Sequence, residues 1–273
     1  MQWWCAAQGV PWTWDWRPYP GVWLFIALVA ATFLLVDRRR RSGRSGEGGR
    51  TGYFWWGLLV LWGALDWPVG ALGAGYLASV HMAQFLLVAL VAPPLLLLGV
   101  RHLLPPGPGV WNRRLPRAAT HPVATLALFT VVLSATHWPP LVDTLMVHQI
   151  GSFVLDLAWL GAGLLFWWPV IVPVPVRPWL GPPVRIGYLI AATLVNTGVF
   201  AFLTFSDLPV YAVYELAPPV GGLSSRDDQR LAGLVMKMGG ALVLWTTITI
   251  LFFRWFADGE RVEGRFAGAR AEP

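Results

Sequence analysis

Charged residues are scarce in this sequence. They make up 12% of the 273 residues, whereas hydrophobic residues make up 56%. A soluble domain carries about 25% charged residues, so this composition excludes an ordinary soluble protein and indicates a membrane protein. The net charge of +6 comes almost entirely from arginines in short segments beside apolar runs. That distribution is typical of membrane orientation and argues against a nucleic-acid-binding face.

Cysteine is nearly absent as well. Cys5 is the single cysteine, which excludes a disulfide within the chain and a zinc site of the Cys-x-x-Cys or Cys/His type. Two interpretations of Cys5 stay open, a ligand for a soft metal and an incidental thiol, and the second is favoured. The sequence also lacks a P-loop, a Gly-x-Ser-x-Gly motif, a His-Glu-x-x-His motif and a dinucleotide fingerprint. We therefore expect a protein that is not an enzyme.

Seven apolar runs fill most of the sequence. A helix that crosses the bilayer needs about 20 mostly apolar residues. The runs are 21–36, 53–65, 79–99, 122–136, 146–172, 186–205 and 231–256. They predict an all-α polytopic membrane bundle of about seven transmembrane helices, with residues 1–256 as a single domain. Residues 257–273 are charged and rich in small residues, and they predict a disordered cytoplasmic tail.

Arginine marks one side of the predicted membrane. If the loops alternate, the side that holds the segment 37–52 carries nearly all arginines, and the opposite side carries only Arg17, Arg226 and Arg230. Basic residues mark the cytoplasmic side, so the N-terminus is predicted outside and the C-terminus inside. The tryptophan-rich opening segment predicts an interfacial belt rather than a cleaved signal peptide.

Histidine and methionine cluster at the predicted outer ends of the helices. His81 begins the third apolar run, His137 ends the fourth and His148 begins the fifth. The same layer holds Met82, Met146, Met236 and Met238. Imidazole and thioether together suit copper, above all Cu(I), so this layer is a candidate metal site. The alternative is that the methionines fill the core and the histidines only form hydrogen bonds at the interface.

Asp156 and Lys237 are the charged residues predicted deepest in the membrane. Counted along their helices they lie at similar depth, and an unpaired charge there is costly. We therefore predict a buried ion pair between them. The alternatives are that Asp156 binds a metal or carries protons, and that Lys237 extends to the interface beside a protonated Asp156.

Several sequence blocks occur in the order typical of one known family. They are His81-Met82-Ala83-Gln84, Ala92-Pro93-Pro94-Leu95-Leu96, Thr136-His137 followed by Pro140 and Asp143, Gly163-Leu164-Leu165-Phe166-Trp167-Trp168-Pro169-Val170, and Asp228-Gln229 followed by Gly233 and Met236. With them the chain resembles the CtaG family of cytochrome c oxidase assembly factors. The resemblance implies a seven-helix factor of the bacterial plasma membrane that helps a haem–copper oxidase to mature. It also implies oxidase subunits as partners and copper as a transient cofactor, and the predicted membrane spans imply contact with membrane lipid.

The resemblance carries over residue by residue to four candidate copper ligands. These are His81, Met82, His137 and Met236, and His148 is added from the topology alone. Three positions depart from the family pattern: Phe85 stands where a second histidine is common, Leu155-Asp156 stands for a Glu-His pair, and Lys237 stands for an apolar residue. Two other functions therefore stay open. One is a copper or small-solute transporter, and the other is a structural oxidase partner with a degenerate metal site.

Overall fold

A computed structural model of the chain describes residues 2–41, 51–103, 121–172, 181–195 and 197–271. Every regular element among these residues is a helix. We label the α-helices α1 (Pro20–Arg41), α2 (Thr51–Leu65), α3 (Val69–Gly75), α4 (Ala78–Leu86), α5 (Ala92–Val100), α6 (Pro122–Thr136), α7 (Pro139–Leu145), α8 (Gln149–Ile171), α9 (Pro182–Val195), α10 (Thr197–Phe205), α11 (Ala212–Glu215) and α12 (Ser225–Ala271). A π-helical turn, Leu87–Val91, joins α4 to α5, and a 3₁₀ turn, Arg101–Leu103, follows α5.

The described helices provide between five and seven candidate membrane spans. Five are long and apolar enough alone: Pro20–Arg39, Ala78–Leu103, Gln149–Ile171, Pro182–Phe205 and Ser225–Arg261. Two further spans arise if each bent pair counts as one, with a 44° bend between α2 and α3 and a 71° bend between α6 and α7. The predicted all-α membrane bundle is confirmed. The orientation of its termini stays a prediction.

The span formed by α4, the π-helical turn and α5 lies at the centre of the bundle. In its most apolar stretch 61% of the residues are buried, against 17% in the first and last spans. It packs against α2, α8 and α12. Gly163 of α8 packs directly against this span, because a Cβ there would overlap the carbonyl oxygen of Ala89.

Pro93 and Pro94 explain the π-helical turn. Neither proline has a backbone N–H, and a proline ring clashes with the carbonyl one turn before it. The chain meets this constraint with one wider turn, in which the N–H of Ala92 donates to the carbonyl of Leu87, and the helix then continues. The proline pair therefore produces a local change of helical register and does not end the helix.

Part of the segment before α1 packs into the bundle, which the predicted interfacial belt does not require. Trp14 and Trp16 are exposed, but Trp4 and Cys5 are buried against the bundle. The backbone N–H of Ala7 donates to the carbonyl of Met146 at 2.9 Å, which ties the segment to the connection before α8. Residues 2–19, α3, α7 and α11 together cover one end of the bundle, which we call the capped end.

The last helix is long. At 1.5 Å per residue its 47 residues extend about 70 Å, more than twice the hydrocarbon thickness. It continues through 257–271, where the sequence predicts a disordered tail. An ion pair between Arg261 and Asp258, one turn apart at 3.5 Å, lies on this extension.

Candidate functional site

Two adjacent candidate ligands, His81 and Met82, lie in the first turns of α4 at the capped end. Both side chains are buried, with 3% and 2% of their surface exposed. The start of α4 is held by Asp228 of α12, whose carboxylate accepts hydrogen bonds from the N–H of Ala78 at 2.6 Å and of Ser79 at 3.2 Å. The Ser79 hydroxyl donates to the same carboxylate. Asp228 therefore satisfies helix N–H groups that lack a partner within α4.

His137 lies at the break between α6 and α7. Its Nδ1 is 2.8 Å from the carbonyl of Leu133, an acceptor, so Nδ1 carries the proton. The neutral ring then has a free lone pair on Nε2, and that atom lies 3.3 Å from the sulfur of Met82. The Tyr211 hydroxyl donates to the His137 carbonyl at 2.9 Å and holds the backbone at the break. An imidazole nitrogen and a thioether sulfur thus face each other in a buried position.

His81 stands beside this pair with its ring unsatisfied. Neither Nδ1 nor Nε2 has a hydrogen-bond partner among the described residues, although the ring is buried. Its centroid is 4.9 Å from that of Trp159 and 5.9 Å from that of Tyr214. Buried polar atoms are nearly always paired, so the two nitrogens of this ring are candidate contacts for a bound ligand.

A small cavity borders His81 on the side of the N-terminal segment. Its volume of about 10 Å³ is roughly what one water molecule requires. The lining residues include Cys5, Gln84, Met146 and Asp156. The Oε1 atom of Gln84 is also buried without a partner among the described residues. Gly73 of α3 closes over this region, since a Cβ there would lie 2.6 Å from that same oxygen.

Phe85 and Trp159 separate the two histidines from the rest of the core. The Phe85 ring is 5.3 Å from the His137 ring and 5.2 Å from the Trp159 indole. Trp159 donates from Nε1 to the Thr136 hydroxyl at 2.9 Å, which fixes its indole. Aromatic side chains therefore line the side of the two histidines that faces the core.

The predicted ion pair between Asp156 and Lys237 is wrong. Asp156 accepts hydrogen bonds from Nε1 of Trp4 at 2.8 Å and from Nε2 of Gln84 at 3.2 Å. Lys237 donates to the Thr197 hydroxyl at 3.0 Å and lies 4.7 Å above the Phe200 ring. Equal depth did not bring the charges together, because α8 turns Asp156 towards the N-terminal segment and α12 turns Lys237 towards α10.

The remaining predicted ligands lie apart from this group. His148 is exposed at the start of α8. Met236 is buried and lines a separate cavity, on the far side of Phe85 and Leu133. The described residues contain no group of three or more His, Cys, Asp or Glu side chains that could hold a metal. Of the predicted ligands, His137 and Met82 are in contact, and the ring of His81 lies beside the Trp159 indole that also neighbours His137.

Cys5, Trp4 and Trp159 also border this region, which their positions in the sequence did not predict. Cys5 donates to the carbonyl of Leu65 at 3.4 Å. Burial raises the pKa of the Cys5 thiol, and the carboxylates of Asp156 and Asp66 raise it further, so the thiol stays protonated near neutral pH. The apolar pair Trp4-Cys5 could have indicated that the N-terminal segment is partly buried. It does not show which helices the segment packs against.

Comparison with known proteins places the chain in a family. The profile described as cytochrome c oxidase caa3 assembly factor (Caa3_CtaG) matches residues 30–258. The chain belongs to the Caa3_CtaG family. The matched range contains His81, Met82 and His137, whereas Trp4 and Cys5 precede it.

Three mycobacterial proteins are similar to this Caa3_CtaG chain. They are uncharacterized proteins of Mycobacterium leprae, Mycobacterium bovis and Mycobacterium tuberculosis, and each is 27% identical over 89% of this chain. The chain spans only 41% of the length of each. No solved structure matches it.

Proposed function

We propose that this chain is a membrane assembly factor that holds Cu(I) for a haem–copper cytochrome c oxidase. The capped end would face the outside of a bacterial plasma membrane, and oxidase subunits would be the partners that receive the metal. One observation carries the proposal: the free Nε2 of His137 lies 3.3 Å from the Met82 sulfur in a buried position. The family supports the link to the oxidase.

The donor set suits copper as a cargo. Thioether sulfur is a soft ligand that favours Cu(I), and imidazole binds copper well. His81 supplies a third donor beside Met82, since both of its ring nitrogens lack a partner among the described residues. These three ligands carry no negative charge, so the site would hold the ion without the strong attraction of thiolates or carboxylates. Such a site fits a metallochaperone, which must also release its metal.

A second function, that of a structural oxidase partner, is favoured by the identity of residue 85. Phe85 packs its ring against both His137 and Trp159 and contributes no donor atom. In this alternative the site only stabilises the capped end. Deletion of the gene would then impair the oxidase although the purified protein binds no copper.

Cu(I) affinity of the purified protein tests the proposal. The parent is compared with His137→Ala, Met82→Leu and His81→Ala by competition against a chromophoric chelator under reducing conditions. We expect stoichiometric binding in the parent and a loss of at least tenfold in affinity for each variant, about 1.4 kcal/mol. Met238→Leu and His148→Ala are matched controls, because both residues are exposed and lie outside the group.

The same measurement separates the two functions. Copper binding that persists in all three variants would place the metal elsewhere and overturn the assignment of these ligands. Absence of binding in the parent would remove the metallochaperone mechanism. In that case the oxidase content of a strain without the protein decides whether the structural role remains.

A further inference from the structure

Three soft donors from separate parts of the chain line the small cavity beside His81. Cys5 comes from the N-terminal segment, His81 from α4 and Met146 from the connection before α8. All three residues are buried. Thiolate and thioether sulfur select Cu(I), and imidazole binds copper well. The residues described as lining the cavity do not include His137 or Met82, so this donor set is separate from the contact between those two side chains.

The cavity has the size of a single ion. Its volume of about 10 Å³ is close to that of one water-sized sphere, which admits one metal ion or one water and no organic molecule. His81 borders it with a buried ring whose two nitrogens lack a partner among the described residues. A neutral imidazole has one lone pair to donate, so an ion in the cavity would satisfy one of these nitrogens.

Both sulfur atoms at the cavity are held by contacts of their own. The Cys5 thiol donates to the carbonyl of Leu65 at 3.4 Å, and a Cβ on Gly70 would lie 3.0 Å from the Cys5 sulfur. The Met146 sulfur accepts from the Tyr214 hydroxyl at 3.6 Å. Because these side chains are already packed in place, a metal that binds them costs little additional side-chain entropy.

The polar part of the wall favours a cation. Asp156 lines the cavity, and its carboxylate accepts from Trp4 and from the side-chain N–H of Gln84. The other end of that amide, Gln84 Oε1, is buried without a partner among the described residues. No lysine or arginine is among the residues described as lining the cavity. A positive ion there would be attracted by a carboxylate and an amide oxygen and repelled by no neighbouring cation.

We propose that Cys5, His81 and Met146 hold Cu(I) in this cavity, as a second position beside the contact between His137 and Met82. The inference rests on the proposed function, because it assigns the same cargo to the same protein. On binding, the S–H bond of Cys5 breaks, a bond between sulfur and copper forms, and the proton passes to solvent. Copper remains Cu(I), so no electron is transferred. His81 is a ligand in both positions, which lets the ion change position without leaving the site.

A double variant, Met82→Leu with His137→Ala, tests this proposal because it removes the contact that carries the proposed function and keeps the cavity. Cu(I) affinity of the purified full chain is measured by chelator competition under reducing conditions, and a pH indicator in dilute buffer measures proton release. We expect one bound Cu(I), an affinity at least tenfold below that of the parent, and about one proton released per copper. A thiol must lose its proton to bind a metal, whereas neutral imidazole and thioether release none.

Two substitutions added to the double variant identify the ligands. Cys5→Ser should lower the affinity at least a further tenfold and remove both the proton release and the ultraviolet absorption of a Cu(I)–thiolate bond. Met146→Leu should also lower the affinity at least tenfold but keep the proton release, because the thiolate remains. His148→Ala is the matched control, since His148 is exposed. A thermal unfolding midpoint within a few degrees of the double variant shows that each is folded.

The proposal is overturned if the double variant binds no Cu(I), or if Cys5→Ser leaves its affinity and proton release unchanged. Either result leaves the proposed function intact as long as the parent binds Cu(I) through Met82 and His137. A parent affinity that is indifferent to those two residues and falls in Cys5→Ser would refute the earlier ligand assignment and support the cavity site. His137→Ala alone gives the same comparison if the double variant fails to fold.

Discussion

The indole Nε1 of Trp4 donates a hydrogen bond to Asp156 Oδ2 at 2.8 Å across 152 residues of sequence. Both side chains are buried, with 1% and 6% of their surface exposed. The contact anchors the N-terminal segment over the cavity beside His81. The side-chain carbonyl of Gln149 adds a second anchor, because it accepts from the N–H of Trp3 at 2.8 Å. A segment outside the matched family range therefore covers the candidate site.

Loss of the Trp4 anchor should expose Cys5. Trp4→Phe removes the N–H that Asp156 accepts, and a buried carboxylate without that partner destabilises the closed segment by about 1–3 kcal/mol. Cys5 is the only cysteine, so the rate of maleimide labelling reports its exposure directly. We expect labelling at least tenfold faster in Trp4→Phe than in the parent. Trp14→Phe is the control, because Trp14 is 68% exposed, and an equal rate in parent and Trp4→Phe would show that the contact does not hold the segment.

Asp228 should stabilise the start of α4 far more than its neighbour Asp227. Asp228→Ala leaves the N–H groups of Ala78 and Ser79 without their acceptor, which should cost about 0.5–2 kcal/mol, as the loss of a helix cap does. Asp227→Ala removes only an exposed hydrogen bond with Ser224. Chemical denaturation in detergent measures the difference. Equal destabilisation by the two substitutions would contradict the capping role.

Phe85→His should strengthen copper binding if the proposed function is correct. The Phe85 ring lies 5.3 Å from the ring of His137, so an imidazole there adds a donor next to the existing pair. We expect Cu(I) affinity to rise about tenfold, or about 1.4 kcal/mol. Phe85→Leu controls for the loss of the aromatic ring and should not raise the affinity. A gain in Phe85→Leu equal to that in Phe85→His would attribute the effect to packing rather than to ligation.

The predicted orientation can be tested with cysteines at opposite ends of α12. Ser224→Cys and Asp258→Cys, each combined with Cys5→Ser, place a reactive thiol in an exposed position before the start and after the end of the apolar run 231–256. An impermeant maleimide should label Ser224→Cys in intact cells. It should label Asp258→Cys only after the membrane is permeabilised, and the reverse pattern would invert the topology.

The membrane fold was accessible from sequence because run length and composition decide it. Each apolar run of about 20 residues must satisfy its backbone hydrogen bonds internally, and a helix does so whatever its neighbours are. The two shorter runs also ended where the structure bends, at Asp66 and at His137. Local rules of this kind do not require knowledge of the tertiary contacts.

The sequence predicted only some of the residues of the site, because their contacts depend on tertiary packing and not on local rules. Depth along a helix follows from residue number, but the direction of a side chain around the helix axis depends on what the helix packs against. His137 and His148 are both at helix ends, yet His137 faces Met82 and His148 is exposed. For Asp156 the unknown direction of the side chain led to the wrong predicted partner, Lys237 instead of Trp4 and Gln84.

Residue order alone was enough to predict an all-helical membrane bundle and to place His81, Met82 and His137 at one end of it. The packed bundle decided that Asp156 accepts from Trp4 rather than pairing with Lys237, and that Lys237 is left beside an apolar cavity. The difference is physical. Transfer of apolar side chains into lipid is additive along the chain, whereas a hydrogen bond between distant residues forms only where rotation of the helices and the path of the loops bring donor and acceptor within about 3 Å.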